Sequence, residues 1–168
     1  QKDRVETWWH QNDLSPEEIS SEGYHLWHSK MAIGTGGWDG HGWSEGPENR
    51  LQRLPERHND FVFPVIAEEL GFKGAAVFLF IYTLFGLLFL FYAYRYRCRF
   101  TRLVLIGIGV HFLSHMVLNV GVTLGIWPTT GLSLPMVSYG GSSLMVSGVA
   151  VGVALSVTAN RSLMLTDS

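Results

Sequence analysis

The sequence predicts an all-α membrane protein in which three transmembrane helices follow a large polar region. Long apolar runs dominate residues 61–168, whereas residues 1–60 are polar and rich in Gly, Trp and His. A helix of about 20 apolar residues, rising about 1.5 Å each, crosses the roughly 30 Å hydrocarbon layer of a bilayer. The net charge of −2, without a basic stripe, argues against a nucleic-acid partner. We therefore divide the chain into a loop domain (1–60), with short helices and a Gly-rich segment, and a membrane domain (61–168).

Three apolar runs are predicted to span the bilayer, at about 74–94, 103–126 and 143–159. The third run is short, and its Gly and Ser content is typical of a helix packed tightly against neighbouring helices. Residues 61–71 predict a short amphipathic helix that leads into the first span. Pro64 is compatible with this helix because it falls in the first turn, where no intrahelical N–H partner is required.

Four arginines and no acid separate the first two spans, at Arg95, Arg97, Arg99 and Arg102. Positive charge accumulates in cytoplasmic loops, so residues 95–102 are predicted to be cytoplasmic, as is the C-terminus. Residues 1–60 and 127–142 are then extracytoplasmic. The chain starts with Gln1 and has no apolar signal segment, which suggests that it begins partway through a larger protein.

The densest group of ionisable side chains lies directly before the apolar region, in the stretch from Leu54 to Phe61. Charge at the mouth of a membrane bundle is costly, so it indicates chemistry or transport. Two plainer interpretations remain open. These residues can be a solvated loop, and Asp60 can cap the helix that follows it.

Two further polar features interrupt the apolar region. Residues 138–143 form a small-residue segment, where glycine permits close backbone approach. His111, His115 and Asn119 lie four residues apart, on one helix face that must point into the bundle or a wet cavity. Hydrogen bonding between helices is the favoured interpretation of this polar stripe (His111, His115 and Asn119).

The Gly-rich segment 34–46 offers backbone N–H groups that can cradle an anion. It lacks the strand and helix of a nucleotide-binding loop, and a flexible loop that closes over a cavity is the preferred interpretation. His25 and His28 supply only two ligands, which do not make a zinc site.

Taken in chain order, these segments resemble a known family. The matching segments are Gly23-Tyr24-His25, Ser29 to Gly37, Gly40-His41-Gly42-Trp43, Leu54 to Phe61, Glu68-Glu69-Leu70-Gly71, Asn119-Val120-Gly121, Pro128 to Gly131 and Ser138 to Ser143. The series is similar to the SEDS family of bacterial cell-wall polymerases, the relatives of RodA and FtsW, from about residue 23 to residue 159. The Gly-Trp and Pro-Glu-Arg-His forms resemble the RodA branch more. Asn59 and Pro64 depart from the family pattern, and neither removes an ionisable group.

The resemblance implies the C-terminal part of a polytopic bundle of about ten spans in the bacterial inner (cytoplasmic) membrane. It also implies an inverting glycosyltransferase that polymerises lipid II into glycan strands during cell elongation. The implied partner is a class B penicillin-binding protein. The isolated chain is expected to be inactive, because three spans seldom enclose a lipid-sized cavity.

Asp60 matches the family's catalytic aspartate and is implied to be the base, helped by desolvation that raises a carboxyl pKa. His58 would orient Asp60 or contact diphosphate, and Arg57 and Lys30 would bind diphosphate. The expected cofactor is a divalent cation, Mg²⁺ or Mn²⁺, for which Glu56 and Asp60 are possible ligands. No organic cofactor is implied.

Other residues are expected to shape or support the site. Those expected to wall the substrate site are Ser138, Gly140, Gly141 and Ser142, and those expected to support it are Glu69, His115 and Asn119. The competing functions are a lipid or solute transporter or flippase, which would depend on the polar stripe, and an inactive fragment.

Overall fold

The computed structural model describes residues 8–9, 21–43, 61–128, 131–138 and 141–159. The helices with defined bounds in this part of the chain are α1 (Ser21–Thr35), α2 (Val62–Tyr94), α3 (Arg99–Thr123) and α4 (Gly141–Thr158). Helices α2, α3 and α4 are long and apolar enough to cross a membrane. The predicted fold class, an all-α membrane protein with three spans, is confirmed.

Helix α2 joins the predicted leading helix and the first span into one element with a break at Gly71. Gly71 has φ 66° and ψ −170°, a conformation open essentially only to glycine. Before the break, Phe63, Pro64 and Ala67 are buried. Pro64 lies in the first turn, as its missing N–H requires.

Helix α3 begins and ends earlier than the predicted 103–126. Arg99 and Arg102 lie in its first turn, a position compatible with membrane insertion because long basic side chains can extend from a helix end to the interface. Its C-terminus is set by Gly125, which has φ 76° and donates its N–H to the carbonyl of Val122, while the N–H of Ile126 bonds the carbonyl of Gly121. This pair of hydrogen bonds is a Schellman cap, which stops the helix before the apolar run ends.

Small residues bring α2 and α3 together. A Cβ on Gly109 would lie 3.1 Å from the carbonyl oxygen of Gly86, so the two backbones nearly touch there. Next to this contact, Phe112 is fully buried, and the centre of its ring lies 5.3 Å from that of Phe85 and 5.9 Å from that of Phe89. Close approach of small residues, with aromatic packing beside it, is how membrane helices associate without a hydrophobic driving force.

The antiparallel order of α2, α3 and α4 gives the bundle two distinct ends. The start of α2, the end of α3, the start of α4 and the whole of α1 lie at one end, which we call the loop end. The connection 95–98 between α2 and α3 lies at the other, which we call the arginine end. All the predicted site residues that the structure describes belong to the loop end or the helices just below it.

Candidate functional site

Helix α1 is attached to the loop end through a buried serine. The Ser29 hydroxyl donates to the carbonyl of Thr123 at the end of α3 over 2.9 Å, and both residues are buried. His28 is also buried, between the rings of Tyr24 and Trp27. Sequence reasoning assigned no role to Ser29, although it stands directly before Lys30. Its contact with α3 fixes where Lys30 lies.

Lys30 is half-buried on α1 at the loop end. Partial burial lowers the pKa of the Lys30 ammonium below its ordinary value of 10.5, because desolvation disfavours the charged form. A cation held in such a place favours an anionic ligand more than a fully solvated lysine does.

The glycine-rich turn after α1 is docked against the break in α2. The N–H groups of His41 and Gly42 donate to the carbonyls of Glu68 and Glu69, at 3.2 and 3.0 Å. In the opposite direction, Phe72 N–H bonds the carbonyl of Gly37, and Lys73 N–H bonds that of Trp38. These four bonds replace the helical bonds that the break at Gly71 disrupts.

The expectation of a flexible loop is therefore wrong for residues 36–42. Four hydrogen bonds fix this segment, and the N–H groups of His41 and Gly42 are already occupied by α2, so they cannot cradle an anion. The contact is so close that a Cβ on Gly36 would overlap the carbonyl of Ala67, and one on Gly40 would overlap that of Glu69. The repeated glycines are required for backbone approach rather than for mobility.

Glu68 and Glu69 lie directly beneath this docked turn, and both are buried. Glu69 was expected to support the site, whereas Glu68, which is the more buried, was assigned no role. Buried carboxylates at a membrane helix end are rare and usually functional. The sequence feature that could have drawn attention to Glu68 is the pair of adjacent acidic residues, Glu68 and Glu69, close to Gly71.

The connection between α3 and α4 folds back into the bundle. Leu134, at the tip of this re-entrant loop (131–138), is fully buried and packs with Tyr82 and Phe112. Backbone carbonyls of this loop are contacted by side chains of the transmembrane helices. His115 Nδ1 lies 3.3 Å from the carbonyl oxygen of Ser133, and Asn119 donates to that of Leu132 over 2.8 Å. His115 is eight residues before the end of α3, which places the loop about 12 Å below that end.

Tyr82 on α2 completes the support of the re-entrant loop. Its buried hydroxyl donates to the carbonyl of Pro135 over 3.1 Å. Irregular backbone at membrane depth is tolerated only where its polar groups are met inside the protein. His115, Asn119 and Tyr82 meet that requirement, so the two members of the polar stripe among them bond loop carbonyls and not another helix as expected. The ring of His111 stands 4.4 Å from that of His115. Sequence reasoning missed Tyr82, although a tyrosine in an apolar span needs a partner for its hydroxyl.

Ser138 closes the re-entrant loop from within. Its hydroxyl accepts the N–H of Leu134 over 2.8 Å, and its own N–H donates back to the Leu134 carbonyl over 2.9 Å. Gly141 and Ser142 are exposed in the first turn of α4. The loop is joined to α4 by the Ser133 and Ser143 hydroxyls, 3.1 Å apart. A substrate contact at Ser138, Gly141 or Ser142 stays a prediction.

Five predicted site residues lie outside the described part of the chain, namely Glu56, Arg57, His58, Asp60 and Gly140. The chain is described again from Phe61, which is buried and occupies the N-cap position of α2. The capping interpretation of Asp60 lies outside the described residues and stays a prediction. Of the described members, Lys30 lies on α1, Glu69 lies before the break in α2, and Ser138 lies in the re-entrant loop.

The chain matches the FtsW/RodA/SpoVE family model, described as a cell cycle protein, over residues 1–163. It is 41% identical over 152 residues to the peptidoglycan glycosyltransferase MrdB of Escherichia coli (strain K12), which covers 90% of this chain and 41% of the relative. It is 44% identical over 140 residues to a probable peptidoglycan glycosyltransferase FtsW of Aliivibrio salmonicida (strain LFI1238), covering 80% of this chain and 34% of the relative. The chain thus spans less than half the length of these relatives.

The fold is similar to a solved chain from work described as "Structural coordination of polymerization and crosslinking by a peptidoglycan synthase complex". The TM-score is 0.70 at 29% sequence identity, over 94% of this chain and 46% of the solved one. The family match covers nearly the whole sequence, and the structural match covers 94% of the chain. The chain is therefore a member of the FtsW/RodA/SpoVE family of cell cycle proteins.

Proposed function

We propose that the full-length protein to which this chain belongs is a peptidoglycan glycosyltransferase that polymerises lipid II. The observation that carries the proposal is the family match over residues 1–163, which includes the ionisable stretch from Leu54 to Phe61. Relatives that match most of this chain carry the name peptidoglycan glycosyltransferase. The docked turn and the re-entrant loop add a rigid frame at the loop end, where Lys30 and Glu69 also lie.

In this proposal Asp60 acts as the general base. It takes the proton from the 4-hydroxyl of the acceptor sugar while that oxygen attacks the anomeric carbon of the donor. The bond from the anomeric carbon to the diphosphate breaks on the opposite face, so the configuration inverts. Lys30 and Arg57 stabilise the negative charge that the leaving diphosphate acquires. Lys30 suits this role because it is half-buried on a helix that Ser29 anchors.

A divalent cation, Mg²⁺ or Mn²⁺, is also part of the proposal, with Glu56 and Asp60 as its possible ligands. Carboxylate oxygens are the ligands that these hard cations prefer. The cation would supply positive charge beside the departing diphosphate. Polymerisation that persists after chelation of divalent ions would remove the cation from the proposal.

The proposal places the protein in the bacterial inner membrane, with the loop end outside the cytoplasm and the arginine end inside. The arginines at 95–102 support this orientation through the positive-inside rule. A class B penicillin-binding protein is the proposed partner, in line with the solved relative, which comes from a peptidoglycan synthase complex. The elongation role rests on the motif resemblance, since the relative named FtsW is no less identical than MrdB.

A transporter or flippase would depend on the polar stripe. The contacts of His115 and Asn119 with the re-entrant loop account for two of its members without a transport path. We therefore favour the polymerase.

The experiment that tests the proposal is glycan synthesis from labelled lipid II by the full-length protein with its partner. Asp60→Asn is expected to abolish polymer while leaving lipid II binding intact, because it removes the base but keeps the side-chain shape. The matched control is Asp39→Asn, which alters an exposed carboxylate paired with Lys73 and should leave polymer yield unchanged. Full activity of Asp60→Asn would remove Asp60 from the chemistry. Absence of polymer from the wild type would refute the proposed function.

A further inference from the structure

A groove of about 450 Å³ lies between α2, α3 and α4, near the arginine end. Its volume falls within the range of roughly 300–1,000 Å³ that is common for ligand pockets. Leu105 and Ala154 are buried in its floor, and Leu88, Tyr92 and Leu155 are exposed at its rim. None of the predicted site residues that the structure describes lines this groove, so the proposed function does not use it.

The groove offers a ligand almost entirely apolar contact. At the arginine end it is closed by Tyr96, whose hydroxyl donates to the carbonyl of Thr158 over 2.9 Å. Because this bond satisfies both groups, neither requires a polar ligand. Phe85 and Phe89 line the wall. Such a lining suits a hydrocarbon chain, which needs no hydrogen bond.

A cationic cluster adjoins the groove. It consists of four exposed arginines within eight residues, and no acidic residue occurs between positions 92 and 102. The cluster members are Arg95, Arg97, Arg99 and Arg102. Two of the guanidinium groups stand over aromatic rings, Arg95 over Phe91 at 5.4 Å and Arg102 over Tyr94 at 5.3 Å. Tyr92 and Tyr96 line the groove and flank Arg95 in sequence, and Leu105 in its floor follows Arg102 by one helical turn. The cluster therefore lies at the same end of the bundle as the groove.

We propose that the groove holds one acyl chain of an anionic phospholipid, whose phosphate is bound by the arginine cluster. Charge complementarity selects this occupant, because guanidinium groups bind phosphate through paired N–H donors. Basic pockets between transmembrane helices are known sites for anionic headgroups. A neutral lipid or an apolar helix would fill the groove equally well but would gain nothing from the arginines.

The occupant can be identified by photo-crosslinking in the full-length protein within native membranes. A photoreactive amino acid replaces Leu155, which is 65% exposed at the rim and so tolerates a substitution. We expect an adduct with phospholipid. Crosslinking to another segment of the protein instead of lipid would overturn the proposal, because a helix would then cover the groove.

The role of charge can be measured by native mass spectrometry of the full-length protein, titrated with dioleoyl phosphatidylglycerol or dioleoyl phosphatidylcholine. The wild type should bind phosphatidylglycerol more tightly. Arg99→Gln/Arg102→Gln should weaken that binding about 25-fold, at about fivefold per arginine. Phosphatidylcholine binding should weaken much less, because its choline cation offsets the charge of its phosphate. Arg99→Lys/Arg102→Lys keeps the charge but loses the paired donors, so its affinity should lie between those of the wild type and the glutamine variant.

A third variant tests the groove itself. Leu155→Trp fills the rim and should weaken binding of both lipids, with an unchanged melting temperature as the control for folding. Equal affinity of the wild type for the two lipids would refute the role of the arginines. Undiminished binding of both lipids to Leu155→Trp would refute the groove as the acyl site.

Discussion

At the scale of one residue, Asn119 shows why a polar side chain occurs in the last turns of an apolar helix. It is buried, and its amide donates to the carbonyl of Leu132 in the re-entrant loop. Without that donor, the carbonyl would lose a partner in a region with little access to water. His115 and Tyr82 have the same relation to Ser133 and Pro135.

Asn119→Leu is therefore expected to destabilise the full-length protein. The change keeps the side-chain size but removes the donor, and an unmet buried polar group costs about 1–3 kcal/mol. Thermal unfolding in detergent measures the loss. Ser114→Ala is the matched control, because Ser114 is exposed on the same helix and bonds only the carbonyl of His111 in its own turn. Equal stability of the two variants would show that Asn119 does not hold the loop.

Lys30, in contrast to Asn119, is expected to support activity while lowering the free energy of unfolding. Its lowered pKa means that the folded state releases this proton at a lower pH than the unfolded state. Between that lowered pKa and the ordinary value of 10.5, the unfolded state binds more protons, so stability contributed by this site rises with pH.

Lys30→Met should consequently melt no lower than the wild type at neutral pH, although its polymerisation activity falls. As pH rises towards 10.5, the wild type should gain stability relative to Lys30→Met, and melting curves at several pH values check this. A variant that is much less stable at neutral pH would show that the Lys30 charge supports the fold instead.

At the scale of secondary-structure elements, the break in α2 and the glycine turn depend on each other. Gly71 has a backbone conformation that other residues adopt only with strain, and a Cβ there would also overlap the N–H of Gly40. The turn in return bonds the groups that the break leaves without helical partners. Each segment needs the other to complete its hydrogen bonds, so the two are expected to form together.

Gly71→Ala should destabilise the protein by about 1–3 kcal/mol or more, from backbone strain together with the overlap. Limited proteolysis should also cut the turn 36–42 faster, because its docking partner has shifted. The control is Gly107→Ala in α3, where a Cβ meets no atom within 4 Å and the helix gains from alanine. Similar stability of both variants would mean that the break tolerates a side chain.

At the scale of the whole molecule, the three spans expose much of their apolar surface. Phe80, Leu103 and Met145 are each more than 60% exposed, on α2, α3 and α4 respectively. Such faces require lipid or further helices, and the chain spans less than half of its relatives. The described helices therefore leave apolar faces for lipid or further helices to cover.

The 168-residue chain alone is accordingly expected to make no glycan from lipid II, whereas the proposed function predicts that the full-length protein makes it. The physical reason is that three spans with exposed faces do not enclose a cavity for a lipid-linked substrate. Polymer yield from purified chain and purified full-length protein, each with the partner, checks this. Polymer from the chain alone would show that the site is complete within it.

The sequence by itself determined the number of spans and the family. Apolar run length sets what can cross a bilayer, and the order of short motifs was specific enough to identify the relatives. It also placed Lys30, Glu69, His115 and Asn119 among polar positions that need an explanation. These features depend on local composition and on the spacing of residues along the chain, both of which can be read directly from the sequence.

Only the tertiary structure decided what those polar residues contact. The re-entry of 131–138 and the docking of 36–42 on the break at Gly71 join segments distant in sequence. Their hydrogen bonds are accepted mainly by backbone carbonyls. Every residue has a backbone carbonyl, so the residue types in the sequence do not show which carbonyl is bonded. The sequence could therefore show that His115 and Asn119 needed partners. The identity of those partners depended on which loop the packing brought to them.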